Sequence, residues 1–138
     1  MNMHNPPTEG NLANKVTSVM HKLLAWRKEI EEAMAHVDHQ YSFDDIVASV
    51  LRGERHVYDF PKCLVIMELN QFPAYSVYHC FIACGDMQAI KDAEKDINKI
   101  AKDLGCKYMA ISGRTGWPRA LKNDGWKHVL STMYKETY

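Results

Sequence analysis

The run Cys63-Leu-Val-Ile-Met-Glu-Leu69 limits what this chain can fold into more than any other stretch. It is apolar at nearly every position and follows a break at Pro61. A strand with one wet face would alternate, whereas a continuous run is expected of a central strand covered on both faces. Its sequence neighbours supply partners. His56-Val-Tyr-Asp-Phe60 alternates, and Tyr75-Ser-Val-Tyr-His-Cys-Phe-Ile-Ala83 is rich in the aromatic and β-branched residues that strands favour. Asn70-Gln-Phe-Pro-Ala74 reads as a turn, so the three strands form an antiparallel meander.

Helical periodicity flanks this meander. From Leu12 to Val37 apolar residues recur at three and four positions with no glycine or proline between, which fits one long helix or two consecutive ones. Tyr41-Ser-Phe-Asp-Asp-Ile46 is a helix start in which Ser42 caps and Asp45 answers it; Gly53 is the stop. After the third strand, Asp86 is the expected cap of an amphipathic helix with Ile90, Ala93, Ile97, Ile100, Ala101 and Leu104 on its core face, closed by Gly105. A strand at Lys107–Ser112 then completes a strand–helix–strand unit long enough for a right-handed parallel crossover.

The remainder is tightly specified. Gly113 and Gly116 allow positive φ or close backbone approach, Pro118 suits a first helical turn, and Gly125 offers a left-handed cap. A last strand is expected at Trp126–Lys135. The fold class is therefore mixed α/β (α+β), with a partly antiparallel sheet of about five or six strands, N-terminal helices and a long crossover helix. Residues 1–10 are expected to be an irregular arm, and residues 11–138 one domain.

Charge bounds the partners. Lys and Arg total 17, as do Asp and Glu, so no basic excess favours nucleic acid or a membrane surface. No run approaches the length of a membrane span, and the N-terminus lacks signal-peptide character, so the chain is expected to remain in the cytosol where it is made. Cys63, Cys80, Cys84 and Cys106 lie in or beside apolar segments and are expected to be free thiols.

The element order resembles the GNAT acetyltransferase fold, most strongly over residues 55–135, where Leu121-Lys-Asn-Asp-Gly125-Trp126 stands at that family's glycine–aromatic junction. A narrower resemblance is to small acetyltransferase-like proteins of tailed bacteriophages. These share a Gly-Arg-x-Gly-Trp-x-Arg-x-Leu-Lys-x-x-Gly segment, matched by Gly113–Gly125, and have a helix start and a Gly-Glu like Tyr41–Ile46 and Gly53-Glu54. The resemblance implies an internal virion or head-assembly protein of short-tailed phages. Its partners would be head, portal or tail components, with oligomers possible inside the assembly. It would reside in the virion, and in the host cytoplasm during assembly.

An active enzyme of this fold needs a pyrophosphate cradle between a central strand and the long helix, built from backbone N–H groups. That junction reads Ile82-Ala-Cys-Gly-Asp-Met-Gln-Ala89, so Cys84, Gly85 and Asp86 would hold acetyl-coenzyme A in the catalytic alternative. Asp86 stands where an anion should dock and would repel it. The family's tyrosine general acid is replaced by Leu121, and Glu68 is the one alternative general base. The expectation is a non-catalytic protein without cofactor or metal; the alternative is an N-acetyltransferase acting on an amine. His36 and His39, three residues apart, would share a helix face and could ligate a metal, but near a helix end they are expected to be a solvated polar tail; His79, Cys80 and Cys84 straddle a strand end with no second pair at zinc-site spacing. No nucleophilic Ser/His/Asp motif is visible. Trp117 either plugs the core or joins Arg114 and Arg119 in an exposed docking edge, since Trp and Arg are enriched where partners bind.

Overall fold

The structure is a computed structural model describing residues 9–112 and 116–137. Three helices, α1 (Glu9–Ala25), α2 (Arg27–Ala35) and α3 (Phe43–Leu51), precede strands β1 (Arg55–Phe60), β2 (Cys63–Gln71) and β3 (Ser76–Gly85). The long helix α4 (Met87–Asp103), the short strand β4 (Tyr108–Ile111) and the helix α5 (Trp117–Leu121) follow. The strands lie in the order β1-β2-β3-β4, antiparallel except for the parallel β3–β4 pair that α4 connects.

The central strand is β2, and both its faces are dry, with Cys63 through Met67 all at most 3% exposed. Leu64 and Ile66 point toward α1–α3, where they meet Leu23, Ile30, Met34, Phe43 and Ile46. Cys63, Val65 and Met67 point the other way, onto Ala93, Ile97 and Ala101 of α4 and Trp117 and Leu121 of α5. Each fully buried aliphatic side chain contributes about 2 kcal/mol of transfer free energy, so this strand holds the two layers together.

Several elements end where local chemistry requires. Ser42 Oγ accepts from the Asp45 amide at 3.1 Å while Asp45 Oδ2 accepts from the Ser42 amide at 2.9 Å, a complete capping box on α3. The apolar stretch from Leu12 to Val37 resolves into two helices because Trp26 leaves helical geometry (φ −109°, ψ 14°) and packs on the cluster containing Leu23 and Ile30. Helix α1 starts at Glu9, inside the segment expected to be an irregular arm.

Three expectations are corrected. The described sheet has four strands, fewer than the five or six expected, because 126–137 forms no strand. Trp126 donates its indole N–H to Glu94 on α4 at 2.7 Å, and Lys91 pairs with Asp124 at 3.2 Å, which ties the start of this segment to α4. Val129, Leu130, Met133 and Tyr134 consequently stay exposed. Leu104, expected on the core stripe of α4, is 43% exposed, since it lies past the last helical turn as the C-cap. Gly116 has an ordinary φ of −77° and opens α5, so its place needs no left-handed backbone; Gly125 does adopt φ +83°.

Replacing Ser42 by Ala removes one side of the capping box and should lower unfolding free energy by about 1 kcal/mol, read by urea denaturation.

Candidate functional site

The turn from β3 into α4 is where the acetyltransferase resemblance would place a diphosphate. Gly85 has φ +114°, and a Cβ there would come within 2.4 Å of the Lys62 carbonyl oxygen and 2.8 Å of Cys63 Cα. The glycine is therefore required by the β1–β2 hairpin packed against it. The Asp86 amide donates to Lys62 O at 2.9 Å, and the Asp86 carboxylate accepts from the Ala89 amide at 3.0 Å. Two backbone donors that an anion would need are already engaged, one of them by a carboxylate, and Cys84 is buried beneath the turn. These groups do not match a diphosphate.

A second constellation lies further back along β3, on the face that carries α1–α3. Pairing of β2 with β3 slips between Ile66 and Met67, so that Ile66 faces Ile82 while Met67 faces Cys80, and Phe81 becomes the extra residue of a bulge. Phe81 and Ile82 then both join the cluster under α1–α3, and His79 falls opposite Glu68. Glu68 Oε1 accepts from Arg55 Nε at 3.0 Å, and Glu68 Oε2 lies 2.9 Å from His79 Nδ1. His79 Nε2 is 2.7 Å from Ser112 Oγ, on the residue that follows β4. Arg55 is clamped in turn: its Nη1 donates to Ser49 Oγ at 3.0 Å, and its guanidinium lies 4.5 Å from the Tyr41 ring centre and 3.8 Å from that of Phe81.

The bonds from His79 and Arg55 hold the Glu68 carboxyl below its ordinary value, against the opposing effect of partial burial. A carboxylate so stabilised is a weak proton acceptor, which counts against Glu68 as a general base. A cleft of about 490 Å³ opens beside Arg55 and Glu68, lined also by Tyr41, Asp45 and Arg52. Gln40 at its rim donates to the Tyr134 hydroxyl, tying the C-terminal segment to the turn before α3.

The remaining expected residues are spread apart. Trp117 is 6% exposed within the core and Arg119 is exposed, so these two share no surface; Arg114 lies outside the described residues. Leu121 is buried beside Trp117. Cys80 and Cys84 belong to clusters on opposite faces of the sheet, and burial pushes the Cys80 thiol up to about 12. Among the described residues no group of three His, Cys, Asp or Glu could hold a metal ion, and no helix is long and apolar enough to cross a membrane. The opposite face of the sheet carries a buried relay, in which the Tyr78 hydroxyl lies 2.6 Å from that of Tyr58 and 2.7 Å from His56 Nδ1. Reading the sequence alone missed Arg55, His79 and Ser112 as a set, since the bulge that brings His79 onto the face of Glu68 leaves no local signature.

No protein-family model matches this chain, and no curated protein does. Solved structures do. A Trypanosoma brucei acetyltransferase aligns at 13% identity over 70% of this chain and 81% of its own, with a TM-score of 0.52. A possible acetyltransferase from Clostridium difficile aligns at 10% identity over 86% of this chain and 93% of its own, with a TM-score of 0.53. A Thermus thermophilus protein aligns at 15% identity over 71% and 81%, with a TM-score of 0.51. The fold is thus acetyltransferase-like, a mixed α/β architecture on a four-stranded mixed sheet.

The lowered Glu68 value has a consequence for stability. A carboxyl depressed in the folded state contributes stability above its ordinary value of 4.5 and loses it as pH falls through the folded value. The stability gap between the native protein and Glu68→Gln should therefore be widest near neutral pH and shrink below about 4.5, measured by urea midpoints across pH.

Proposed function

We propose that this chain uses an acetyltransferase-like fold as a scaffold. It does not transfer acetyl groups from acetyl-coenzyme A, and it acts by protein–protein contact as a component of a phage virion or of its assembly. The observation that carries this reading is the closed α4 entrance, where the Asp86 carboxylate caps Ala89 and the Lys62 carbonyl takes the Asp86 amide. An anionic coenzyme would have to displace a like charge from the helix terminus it requires. Leu121 at the place of the tyrosine acid, and a Glu68 carboxyl held low by two partners, support the same conclusion.

Contact with other proteins is supported by the C-terminal segment, where Val129, Leu130, Met133 and Tyr134 are each at least 66% exposed. Aromatic and Met side chains are enriched at protein interfaces. The phage assignment is supported by the Gly113–Gly125 motif. Head, portal or tail components are the partners it implies, in the virion and in the host cytoplasm during assembly.

Thermal unfolding with acetyl-coenzyme A tests the scaffold role. A ligand present at a hundred times its Kd adds about 2.7 kcal/mol, which moves the melting temperature by several degrees. We expect no shift at millimolar coenzyme; saturable micromolar binding would overturn the scaffold reading. Mass spectrometry of purified particles should find the chain with head, portal or tail proteins, and its absence from particles and assembly intermediates would remove the virion assignment.

A further inference from the structure

We propose that Ser112, His79 and Glu68 form a nucleophilic relay that hydrolyses a carboxylic ester. The connectivity is that of a serine, a base and an orienting carboxylate: Ser112 Oγ to His79 Nε2 at 2.7 Å, and His79 Nδ1 to Glu68 Oε2 at 2.9 Å. Such constellations are recognised by geometry and roles, whatever the fold or the order in the chain.

The surroundings assign each role. Glu68 is held as a carboxylate by its bonds from His79 and Arg55, so it accepts, and the proton of the 2.9 Å bond sits on His79 Nδ1. In the relay His79 Nε2, 2.7 Å away, is the acceptor for the Ser112 hydroxyl proton. Ser112 is open to solvent, while the side chains of His79, Glu68 and Arg55 behind it are only 18%, 21% and 10% exposed. The location is also accessible. β3 and β4 stay paired only as far as Cys80 and Ile111, and Ser112 stands where the two strands part.

The reaction balances without a cofactor. Ser112 Oγ attacks the ester carbonyl and forms the new C–O bond as its proton passes to His79 Nε2. Collapse of the adduct breaks the bond to the alcohol, which leaves with that proton. Water then attacks the acyl-serine, giving its proton to His79, and the acid departs as the proton returns to Ser112. Ester and water become acid and alcohol. His79 and Ser112 touch the reacting atoms; Glu68 and Arg55 are positioning residues.

The test uses the full chain with two probes, p-nitrophenyl acetate and a biotinylated fluorophosphonate. The native protein should release nitrophenol and carry a single phosphonyl adduct on Ser112, located by peptide mass spectrometry. Ser112→Ala and His79→Ala should lose the label, and ester turnover should fall at least about 100-fold. Ser112→Ala removes only an exposed hydroxyl, so its melting curve should match the native one and separate loss of chemistry from loss of fold. In Glu68→Gln, kcat should fall with KM unchanged, a split that a purely structural role would not produce. A folded native protein that stays unlabelled, or Ser112→Ala turnover equal to native, would overturn the relay. Neither result touches the scaffold role, which is read from acetyl-coenzyme A binding and particle content.

Discussion

Dry burial of β2 on both faces is the constraint from which the rest of the structure follows. A strand buried over Cys63–Met67 must be sealed by helices on either side, and these are α1–α3 on one face and α4 with α5 on the other. The same strand ends in a charge. Glu68 follows directly on the last dry residue, so a carboxylate sits at the margin of the core and needs partners from both neighbouring strands. Arg55 on β1 and His79 on β3 provide them, at the register positions next to Glu68 in the sheet. The polar cluster is thus a consequence of where the hydrophobic run stops. Removing one partner would leave the others partly desolvated and uncompensated, a larger penalty than the net worth of any single bond.

Much of this was legible because it is written in short-range chemistry. The continuous run at β2, the Ser42–Asp45 box and the stripe of α4 at Ala93, Ile97 and Ala101 each follow from residues within one or two turns of each other. What escaped notice is longer in range. Strict alternation along β3 would put His79 with Phe81 and Ala83, away from Ile82; the bulge at Phe81 reverses that parity, and only pairing with β2 reveals it. Ser112 lies 33 residues from His79, beyond the reach of any spacing rule, and is delivered by the α4 crossover. The segment after Trp126 failed as a strand for a similar reason. Its composition suits a sheet, but Trp126 and Asp124 at its start bond to α4, partners about 30 residues away in sequence.

The glycine before α4 shows how one residue type carries opposite meanings. In a phosphate-binding turn glycine leaves space for a ligand's oxygens. At Gly85 the missing side chain is replaced by the Lys62 carbonyl, so the space is already filled by the protein's own hairpin. The positive φ and the nearby helix N-terminus look the same in the sequence for either use. The distinction lies in which atoms approach, and here they are backbone atoms of β2 and the hairpin before it.

The two ends of β3 therefore carry different chemistry. At its C-terminal end the Asp86 and Ala89 amides of the α4 entrance are satisfied internally, the latter by a carboxylate. Toward its N-terminal half, His79 is bonded to a charged, anchored carboxylate on one side and an exposed hydroxyl on the other. Arg55 and His79 both hold the Glu68 carboxylate, one from each neighbouring strand. The second imidazole nitrogen reaches an exposed serine, which brings little further burial, since Ser112 is open to water. An exposed hydrogen bond of that kind contributes about 1 kcal/mol, so it adds little to the tie that Glu68 already gives His79. What the orientation of His79, fixed from behind by Glu68, adds is a ring nitrogen facing the Ser112 hydroxyl.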